Sequence, residues 1–528
     1  MQPRPRIKAC LVRAETFPSE PSRPWRPLRS MSDTPELSRL ITAVFSAWQQ
    51  AGIDFLVLRN YENLPHFTTN DIDILVAPSQ LHRAEQVLGI TANAADYRLH
   101  NRAEFATLAL YFSKKNSTAQ AHFDLFTALK WRGFDFLSGE EFLGRKVSKG
   151  LFAIPHPAHE AAANLLASFI FSGQVKEKYR PGIAAAFRSD PDAARALLSK
   201  TYGEARAKLL VDLAARENWP AIEALVGGLR RSLIARQFLR RPWKTTASLA
   251  ADTLRLLRRF LRPPGLTVVL CGPDGCGKST VVPKIVDGLR GTFSPQKGRH
   301  IHWKPRVFSS ARQPTIGNSG AGVPPVSFWL RQHLALSETH GRDARATTQC
   351  GKPGPTGENF EDTSAKASPS SGEAVTNPHG KPPRNAIVSL ACFEVHWLEF
   401  FLGWLLRVRP VVFKGGLVLI DRFYYDFFVD QRRYRLRVPR IIVRCGYALL
   451  PKPDLVFLLD ASPEILQLRK QEVAPAETAR QRAAYGELVK NFKNGVIVDA
   501  SQPPEKVAAD IELAVLDFLA TRTSRRNS

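Results

Sequence analysis

The chain has 528 residues, of which 44% are apolar and 23% charged, so it is long enough for about three domains with sizeable cores. Its net charge of +26 indicates acidic partners, which means nucleotides, nucleic acid or an anionic membrane surface. The six cysteines include no CxxC pair, which argues against a disulfide framework or zinc site and favours a reducing cytoplasm. The N-terminus lacks the apolar segment of a secretory signal, and the nearest candidate membrane span, Val388–Leu406, is interrupted by Glu394, His396 and Glu399.

The N-terminal part of the chain divides into a tail and a compact unit. Residues 1–30 are rich in Pro, Arg and Ser and show no periodicity, and a helix-capping sequence follows Met31. We interpret the first thirty residues as a disordered tail or an incorrectly assigned start. Residues 31–180 combine strand-like apolar runs, among them 53–58 and 71–76, with amphipathic helical segments. This combination predicts a compact α+β domain.

Residues 181–262 predict a basic helical connector. The pattern is helical from Asp190 to Leu261, and residues 229–262 contain ten Lys or Arg and a single acid, Asp252. Leucines at 254, 257 and 261 mark one apolar face. Four arginines lie mostly off that face, namely Arg255, Arg258, Arg259 and Arg262. Two interpretations stay open: a solvated arginine face on a linker, which we favour, and a helix that lies on an anionic membrane.

Residues 263–522 predict an α/β domain. Nearly all-apolar strands at 266–271, 417–420 and 455–460, with a shorter one at 496–498, are separated by helices. This arrangement is typical of a parallel sheet that is buried on both faces. Between residues 339 and 384 the composition changes to Gly, Pro, Ser, Thr and Asn, so we interpret this stretch as a disordered insertion. The fold class we expect is a parallel α/β sheet with flanking helices, preceded by the smaller α+β domain.

A phosphate-binding loop follows the first of these strands. The nine residues from Gly272 to Thr280 fit GxxxxGK[ST] and lie between a predicted strand and a predicted helix. In such a loop the glycines let backbone N–H groups converge on phosphates, the lysine reaches the β and γ phosphates, and the following hydroxyl ligates Mg²⁺. The sequence therefore predicts a site for ATP and Mg²⁺. Its residues are Gly272, Asp274, Gly275, Gly277, Lys278, Ser279 and Thr280.

A second group of charged residues follows the strand at 417–420. It is Asp421-Arg422-Phe423, and in parallel sheets ligands bind at the carboxyl ends of the strands, so we expect Asp421 near the loop. There a carboxylate can hold the Mg²⁺ shell or accept the acceptor's proton, and Arg422 can meet phosphate charge. A helix N-cap with an exposed arginine is the alternative, which the loop makes less favourable. The run His302-Trp303-Lys304-Pro305 predicts core and turn rather than a ligand site.

Three segments together resemble the thymidylate kinase family in order and spacing. They are the loop at 272–280, the Asp421-Arg422-Phe423 motif and the stretch 453–464, within about residues 265–520. The resemblance implies that Asp274 contacts the nucleoside sugar, and that Asp421 and Arg422 serve catalysis and binding of the acceptor phosphate. It also implies that a basic lid supplies an arginine to the transferring phosphoryl group. The candidates are Arg469, which we favour, with Lys470, Arg480 and Arg482.

The segment after the Asp421-Arg422-Phe423 motif departs from that family. Authentic thymidylate kinases carry a serine and an Ala-Tyr-Gln run that help to hold thymine, whereas this chain has Tyr-Tyr-Asp-Phe-Phe-Val-Asp-Gln at 424–431. We therefore expect phosphoryl transfer and leave dTMP open as the acceptor. The chain resembles thymidylate kinase-like paralogues that are linked to bacterial surface polysaccharide synthesis.

Three carboxylates in the N-terminal unit form a second candidate site. Asp71 and Asp73 are two residues apart on a predicted strand and so point to one face, and Asp124 on a later strand can complete a trio. Such a trio can hold two Mg²⁺ ions for nucleotidyl transfer. The arrangement is similar to the nucleotidyltransferase superfamily, but the Gly-Ser pair of that superfamily is missing before the strand. An active transferase and a degenerate domain remain equal alternatives.

The sequence thus predicts a kinase that transfers phosphoryl from ATP to a nucleotide or a related sugar-containing acceptor. The rival hypothesis is a non-catalytic, ATP-binding regulatory module at a membrane-bound polysaccharide assembly. We expect a cytoplasmic protein, with peripheral contact to the inner face of an anionic membrane left open. The expected partners are a nucleoside triphosphate and a small-molecule acceptor, dTMP among the candidates, without specific nucleic acid. A homodimer is left open.

Overall fold

The structure, a computed structural model, describes residues 35–66, 68, 71–293, 298–302, 382–469 and 474–527. The predicted tail at 1–30 and residues 339–381 of the predicted insertion lie outside the described residues. The last three residues of that insertion are described and lead into a helix. There the backbone N–H of Arg384 donates a hydrogen bond to the Arg435 carbonyl.

A mixed five-stranded sheet forms the centre of the N-terminal unit, in the order β1-β2-β5-β4-β3. Its elements are α1 (Pro35–Gln50), β1 (Phe55–Val57), β2 (Ile72–Val76), α2 (Leu81–Ala94), β3 (Tyr97–Glu104), β4 (Leu108–Lys114) and β5 (Gln120–Phe126). β2 and β5 run parallel, and the other neighbours are antiparallel. Helix α1 buries Leu40, Phe45 and Trp48 against the sheet because its apolar residues recur every three to four positions.

Two short hairpins and a series of helices follow the sheet and pack against one another in this unit. It contains β6 (Ala128–Trp131), β7 (Phe134–Ser138), α3 (Gly139–Gly144), β8 (Val147–Lys149), β9 (Phe152–Ile154), α4 (Pro157–Ser172), α5 (Arg180–Ser189), α6 (Pro191–Tyr202), α7 (Glu204–Ala215), α8 (Trp219–Ala224), α9 (Val226–Arg240) and α10 (Pro242–Leu261). The helical pattern that was predicted from Asp190 to Leu261 is confirmed. One buried apolar cluster runs from Leu56 to Leu233, so no break in packing accompanies the predicted limit at residue 180. The domain limits stay predictions.

The C-terminal unit contains a five-stranded sheet in the order β11-β12-β10-β13-β14, and every neighbouring pair is parallel. Its elements are β10 (Leu266–Cys271), α11 (Lys278–Gly288), β11 (Arg299–His302), α12 (Ala386–Gly403), a π-helical turn (Trp404–Val408), α13 (Arg409–Phe413), β12 (Leu417–Asp421), α14 (Asp426–Val429), α15 (Arg440–Leu449), β13 (Leu455–Asp460), α16 (Pro463–Arg469), α17 (Pro475–Lys490), β14 (Gly495–Asp499) and α18 (Pro504–Asn527). Alternate residues of β10 face two different apolar clusters, which explains its all-apolar sequence. The prediction of a mixed α/β fold with a parallel sheet is confirmed.

A buried polar network joins the two units where α18 packs along β3. His100 Nε2 lies 2.6 Å from Thr292 Oγ1, and that hydroxyl donates to Gln120 Oε1 at 2.5 Å. Gln120 Nε2 in turn donates to the carbonyl of Gly288 at 2.7 Å. Burial lowers the pKa of His100 to about 3, so the imidazole is neutral and its Nε2–H is the donor to Thr292. The network therefore connects the end of α11 with the start of β5.

One helical stretch among the described residues, Ala386–Phe413, is long and apolar enough to cross a membrane on length and composition alone. The two glutamates that interrupt the sequence, Glu394 and Glu399, leave the stretch apolar enough for this. Part of the stretch packs inside the protein, where Phe393 and Phe400 are buried and Trp397 Nε1 donates to the Gly446 carbonyl. A single helix of this kind does not distinguish a membrane span from a core helix.

Candidate active site

A loop with three left-handed glycines joins β10 to α11. Gly272, Gly275 and Gly277 have φ angles of 142°, 83° and 88°, where glycine alone is free of strain. A Cβ at Gly272 would stand 2.8 Å from the Leu459 carbonyl oxygen, whereas no atom lies within 4 Å of that position at Gly277. The loop is therefore closed toward β13 and open where α11 begins. The open side is where backbone N–H groups and a helix N-terminus receive an anion.

Lys278 is the first residue of α11 and is buried beneath the loop. Its ammonium donates to the carbonyls of Gly272 at 2.8 Å and Pro273 at 3.1 Å, and to Cys276 Sγ at 3.2 Å. Burial lowers the pKa of Lys278, but interactions with Cys276 and Asp421 outweigh it, so the pKa lies above its usual value. The loop thus holds a stable cation at its centre.

Asp421 ends β12 and pairs with Leu270 of β10 in parallel register. Its carboxylate is 6% exposed, and Oδ2 lies 3.2 Å from His302 Nδ1, while Oδ1 has no hydrogen-bond partner among the described residues. Burial raises the pKa of Asp421, but His302 and Lys278 lower it by more, so the pKa lies below its usual value. An ionised carboxylate with one unpartnered oxygen, in the same cavity as the Ser279 hydroxyl, fits the oxygen ligands that Mg²⁺ prefers.

Two arginines hold the acid of the loop. Asp274 Oδ1 accepts from Arg422 Nη2, and Asp274 Oδ2 accepts from Arg433 Nη1 at 2.7 Å. Burial raises the pKa of Asp274, but the two guanidinium groups lower it by more, so this pKa lies well below its usual range. Arg422 also has a left-handed φ of 65°, a strained conformation for a residue that is not glycine and one that concentrates at functional sites.

A cavity of about 470 Å³ lies over the loop at the carboxyl ends of β10 and β12. The predicted site residues that line it are Asp274, Gly275, Gly277, Lys278, Ser279, Thr280, Asp421, Arg422 and Arg469. Gly272 begins the loop outside this lining. The structure therefore brings predicted residues from three distant segments to one cavity, as ligand sites of parallel sheets require.

The lid candidates occupy different environments. Arg469 lines the cavity, where its Nη1 donates to the Ala500 carbonyl at 2.8 Å beside Gln502. Arg480 pairs with Glu477, and Arg482 pairs with Asp460. Lys470 lies outside the described residues. Arg469 is thus the candidate that reaches the cavity in this structure, and its role in phosphoryl transfer stays a prediction.

Two residues that the sequence did not assign to the site contact its carboxylates. Arg433 contacts Asp274 although it lies 159 positions away, and it follows a segment that had no recognised motif. His302 was interpreted as core and turn, but its side chain is 70% exposed and its ring contacts Asp421. His302 lies beside Asp421 because β11 and β12 run parallel and their register pairs the two residues. That register cannot be read from the sequence alone.

An aromatic wall with one buried acid lies behind Arg422. Asp426 accepts hydrogen bonds from the hydroxyls of Tyr434 and Tyr485, both at 2.7 Å. Burial raises the pKa of Asp426 above its usual value despite these bonds and the nearby Arg422. Phe427 packs against Tyr434 and extends the wall. The wall belongs to the apolar cluster that packs on one face of the C-terminal sheet, and Asp426 is a buried polar group within it.

The N-terminal trio is also brought together. Carboxylate oxygens of Asp71, Asp73 and Asp124 lie within 4.8 Å of one another, because β2 and β5 run parallel and pair Asp73 with Asp124. Arg59 donates to both oxygens of Asp73, from Nε at 2.5 Å and from Nη2 at 3.1 Å. Burial raises the pKa of Asp73 to about 6 against the opposing effect of Arg59. A metal ion on Asp73 would have to compete with this guanidinium.

Comparisons with known proteins detect a similarity to thymidylate kinases over part of the chain. No protein-family model matches. A probable thymidylate kinase of Archaeoglobus fulgidus is 30% identical over 120 residues, which are 21% of this chain and 60% of the relative. A probable thymidylate kinase of Pyrobaculum aerophilum is 31% identical over 113 residues, which are 20% of this chain and 57% of the relative.

Among solved structures, thymidylate kinase from Ehrlichia chaffeensis aligns at 11% identity with a TM-score of 0.25, covering 47% of this chain and 97% of that one. The chain spans about 60% of the length of the two curated relatives, the probable thymidylate kinases of Archaeoglobus fulgidus and Pyrobaculum aerophilum. Sequence homology to thymidylate kinases extends over about 120 residues, a fifth of the chain.

Proposed function

We propose that the C-terminal unit is an ATP-dependent kinase that transfers the γ-phosphoryl group to a nucleotide or a related sugar-containing acceptor. The observation that carries the proposal is the single cavity shared by Lys278, Asp421 and the Asp274–Arg422 pair. Homology to thymidylate kinases over about 120 residues supports the same reaction class. Magnesium and ATP are the proposed cofactors, since the Ser279 hydroxyl and an Asp421 oxygen fit the metal.

The residues of this chain would act chiefly by position and charge, as phosphoryl transfer requires. Lys278 would move from the loop carbonyls to the triphosphate and stabilise charge as the bond to the leaving group breaks. When Mg²⁺ is bound, its positive charge would offset the negative charge of the phosphate oxygens. Asp421 and Ser279 would hold that ion, while Arg469 would meet the nucleotide at the other edge of the cavity.

The charges around Asp274 favour an acceptor that carries an anionic group. Arg422 and Arg433 converge on this one carboxylate, so the three groups carry a net positive charge. A phosphate group of the acceptor would be attracted to both guanidinium groups by charge-assisted hydrogen bonds. A nucleoside monophosphate such as dTMP and a sugar phosphate both satisfy this requirement. A role in surface polysaccharide synthesis would favour the sugar phosphate.

An acceptor screen tests the proposal. The full chain with ATP and Mg²⁺ would be incubated with nucleoside monophosphates, sugars and sugar phosphates, and ADP release would be measured. We expect stimulation by phosphorylated acceptors, and little by neutral sugars. Arg433→Gln should raise the KM for the acceptor with little change for ATP, because Arg433 is outside the cavity lining over the loop.

The rival hypothesis, a non-catalytic regulatory module that binds ATP, makes a different prediction in the same experiment. It predicts saturable ATP binding without ADP release for any acceptor. ADP release that depends on an acceptor and on Lys278 contradicts the module.

A second candidate activity is nucleotidyl transfer at the N-terminal trio. The clustering of Asp71, Asp73 and Asp124 favours it, whereas the two hydrogen bonds of Arg59 to Asp73 favour the degenerate alternative. Mn²⁺ binding to the trio distinguishes the two. Cytoplasmic localisation, homodimerisation and contact with an anionic membrane stay predictions from the sequence, as does the expectation of no specific nucleic-acid partner.

A further inference from the structure

Helix α10 turns its polar side toward the protein. Thr245 is its one buried residue, and Ser248 Oγ donates to the Gly133 carbonyl at 2.7 Å. Asp252 accepts from Arg255 on the same side. Arg259 lies between the rings of Phe105 and Phe413, 4.6 and 4.5 Å from their centres, and donates to the Phe413 carbonyl. The inner face thus consists mostly of polar and charged groups that already have partners.

The opposite side of α10 exposes an apolar stripe. Leu254, Leu257 and Leu261 follow one another at spacings of three and four residues and are 47%, 53% and 64% exposed. Trp243 precedes Leu254 by eleven residues, which is three helical turns, and is 86% exposed on the same side. A helix of a soluble protein places such a stripe against the core. In this chain the stripe is directed to the solvent.

Cations border this stripe. Arg258 and Arg262 are exposed at the C-terminal end of α10, and Arg241 and Lys244 are exposed at its start. The one acid of the helix, Asp252, is paired on the inner side, so no acidic residue of α10 opposes them. The sequence interpretation assigned four arginines to the outer charge, but Arg255 and Arg259 are engaged with protein groups. The outer charge therefore comes from residues at the two ends of the helix.

The surface continues onto the next unit. Arg409, the first residue of α13, donates to the Phe260 carbonyl and stacks over the Phe260 ring at 5.0 Å. The turn that precedes α13 exposes Leu405 and Leu406, at 50% and 44%. Two elements from different parts of the chain thus expose large apolar side chains beside basic groups. Several large exposed apolar side chains on neighbouring elements, beside basic groups, are typical of an interaction site.

We propose that α10 docks the protein onto an anionic lipid surface, with Trp243 and the three leucines in the acyl boundary and the basic residues among the headgroups. An exposed apolar stripe with Trp and Leu, flanked by Lys and Arg, is the pattern of helices that lie in the membrane interface. The charge complements anionic headgroups. Nucleic acid would be attracted by the same cations, but its phosphates give no reason to expose leucines. This inference goes beyond the proposed kinase reaction and does not depend on it.

The test is co-sedimentation of the full chain with vesicles of phosphatidylcholine alone and with roughly 30% phosphatidylglycerol added. Leu257→Ser with Leu261→Ser tests the apolar stripe, and Arg258→Gln with Arg262→Gln tests the charge. Ile90→Ser is the matched control, because Ile90 is 72% exposed on α2 in the N-terminal unit. All these side chains are exposed, so the variants should keep the wild-type melting temperature.

We expect the wild type to bind the anionic vesicles, with binding that weakens as salt is added. Each double variant should bind the anionic vesicles at least about tenfold more weakly than the wild type. Ile90→Ser should bind them as the wild type does. Should the leucine variant be unfolded, brominated lipid gives a second measurement: it should quench tryptophan fluorescence in the wild type and quench less in Trp243→Phe.

Four outcomes would overturn the proposal. Equal binding to neutral and anionic vesicles would exclude a role of the basic residues in docking. Unchanged binding of the leucine variant would exclude a role of the apolar stripe. Tight binding to RNA that is unaffected by the leucine changes, without vesicle binding, assigns the surface to nucleic acid. A dimer that the leucine variant dissociates, again without vesicle binding, assigns it to a second copy of the chain.

Discussion

Removal of the charge on Asp274 should destabilise the C-terminal unit. Asp274→Asn keeps the shape of the side chain but removes the carboxylate that Arg422 and Arg433 share. The side chains of Asp274, Arg422 and Arg433 are 9%, 18% and 19% exposed, respectively. Disruption of a fully buried ion pair costs about 3–5 kcal/mol, and loss of a surface pair costs about 0–1 kcal/mol. This group lies between the two cases. We therefore expect a loss of about 2–3 kcal/mol in the free energy of unfolding.

The assay is thermal unfolding of the full chain, where the loss corresponds to roughly 4–12 °C for a unit of this size. Asp287→Asn is the matched control, because its pair with Arg290 is about 40% exposed and its loss should cost under about 0.5 kcal/mol. Inorganic phosphate should restore stability to Asp274→Asn more than to the wild type, since it can replace the lost anion. Equal losses in Asp274→Asn and the control would refute the reasoning.

The pH dependence of this effect has a definite sign. The pKa of Asp274 is lower in the folded protein than in the unfolded chain, so its contribution to stability is fully present well above pH ~4. It is lost as the pH falls below that value toward the folded-state pKa. The difference between wild type and Asp274→Asn should therefore be constant near neutral pH and shrink in acid.

Three further predictions concern other parts of the chain. Arg59→Gln should strengthen Mn²⁺ binding at the trio about tenfold in calorimetry, because it removes the cation that competes for Asp73, and no binding in either protein marks the trio as degenerate. His100→Phe should lower the free energy of unfolding by about 1–3 kcal/mol, since it leaves Thr292 without its donor; the exposed Thr521→Val is the control, and equal effects contradict the network. Asp421→Asn should lower kcat roughly 10²–10³-fold with little change in ATP affinity, and an unchanged kcat excludes its role.

The parallel sheet and the glycine-rich loop between β10 and α11 could be predicted because their signals are local. An all-apolar run such as 266–271 indicates a strand buried on both faces, and the loop glycines specify their own backbone. The spacing of Asp71 and Asp73, with Asp124 on a nearby strand, was likewise enough to predict their convergence. The expected neighbourhood of Asp421 followed from the general rule for strand ends.

The rest depends on tertiary packing. The contact between His302 and Asp421 follows from a strand register across 119 residues, and Arg433 reaches Asp274 from a short 3₁₀ helix, Arg432–Tyr434. The leucine pattern of α10 predicted a stripe but not its direction, and the usual rule would bury it. The structure turns the polar side of α10 toward the protein instead. There Arg259 stacks on the rings of Phe105 and Phe413 and donates a hydrogen bond to the Phe413 carbonyl, at the junction of the two units.

The most direct test of the central claim is ATP binding and single-turnover phosphoryl transfer by the wild type and Lys278→Ala. The wild type should bind ATP and turn it over when an acceptor is present. Lys278→Ala should lose affinity as well as roughly 10²–10⁴ in rate, because the ground-state triphosphate already meets the Lys278 charge. Unaltered affinity and turnover in Lys278→Ala would contradict the assignment of the loop. A wild type that binds ATP and never transfers phosphoryl would contradict the kinase.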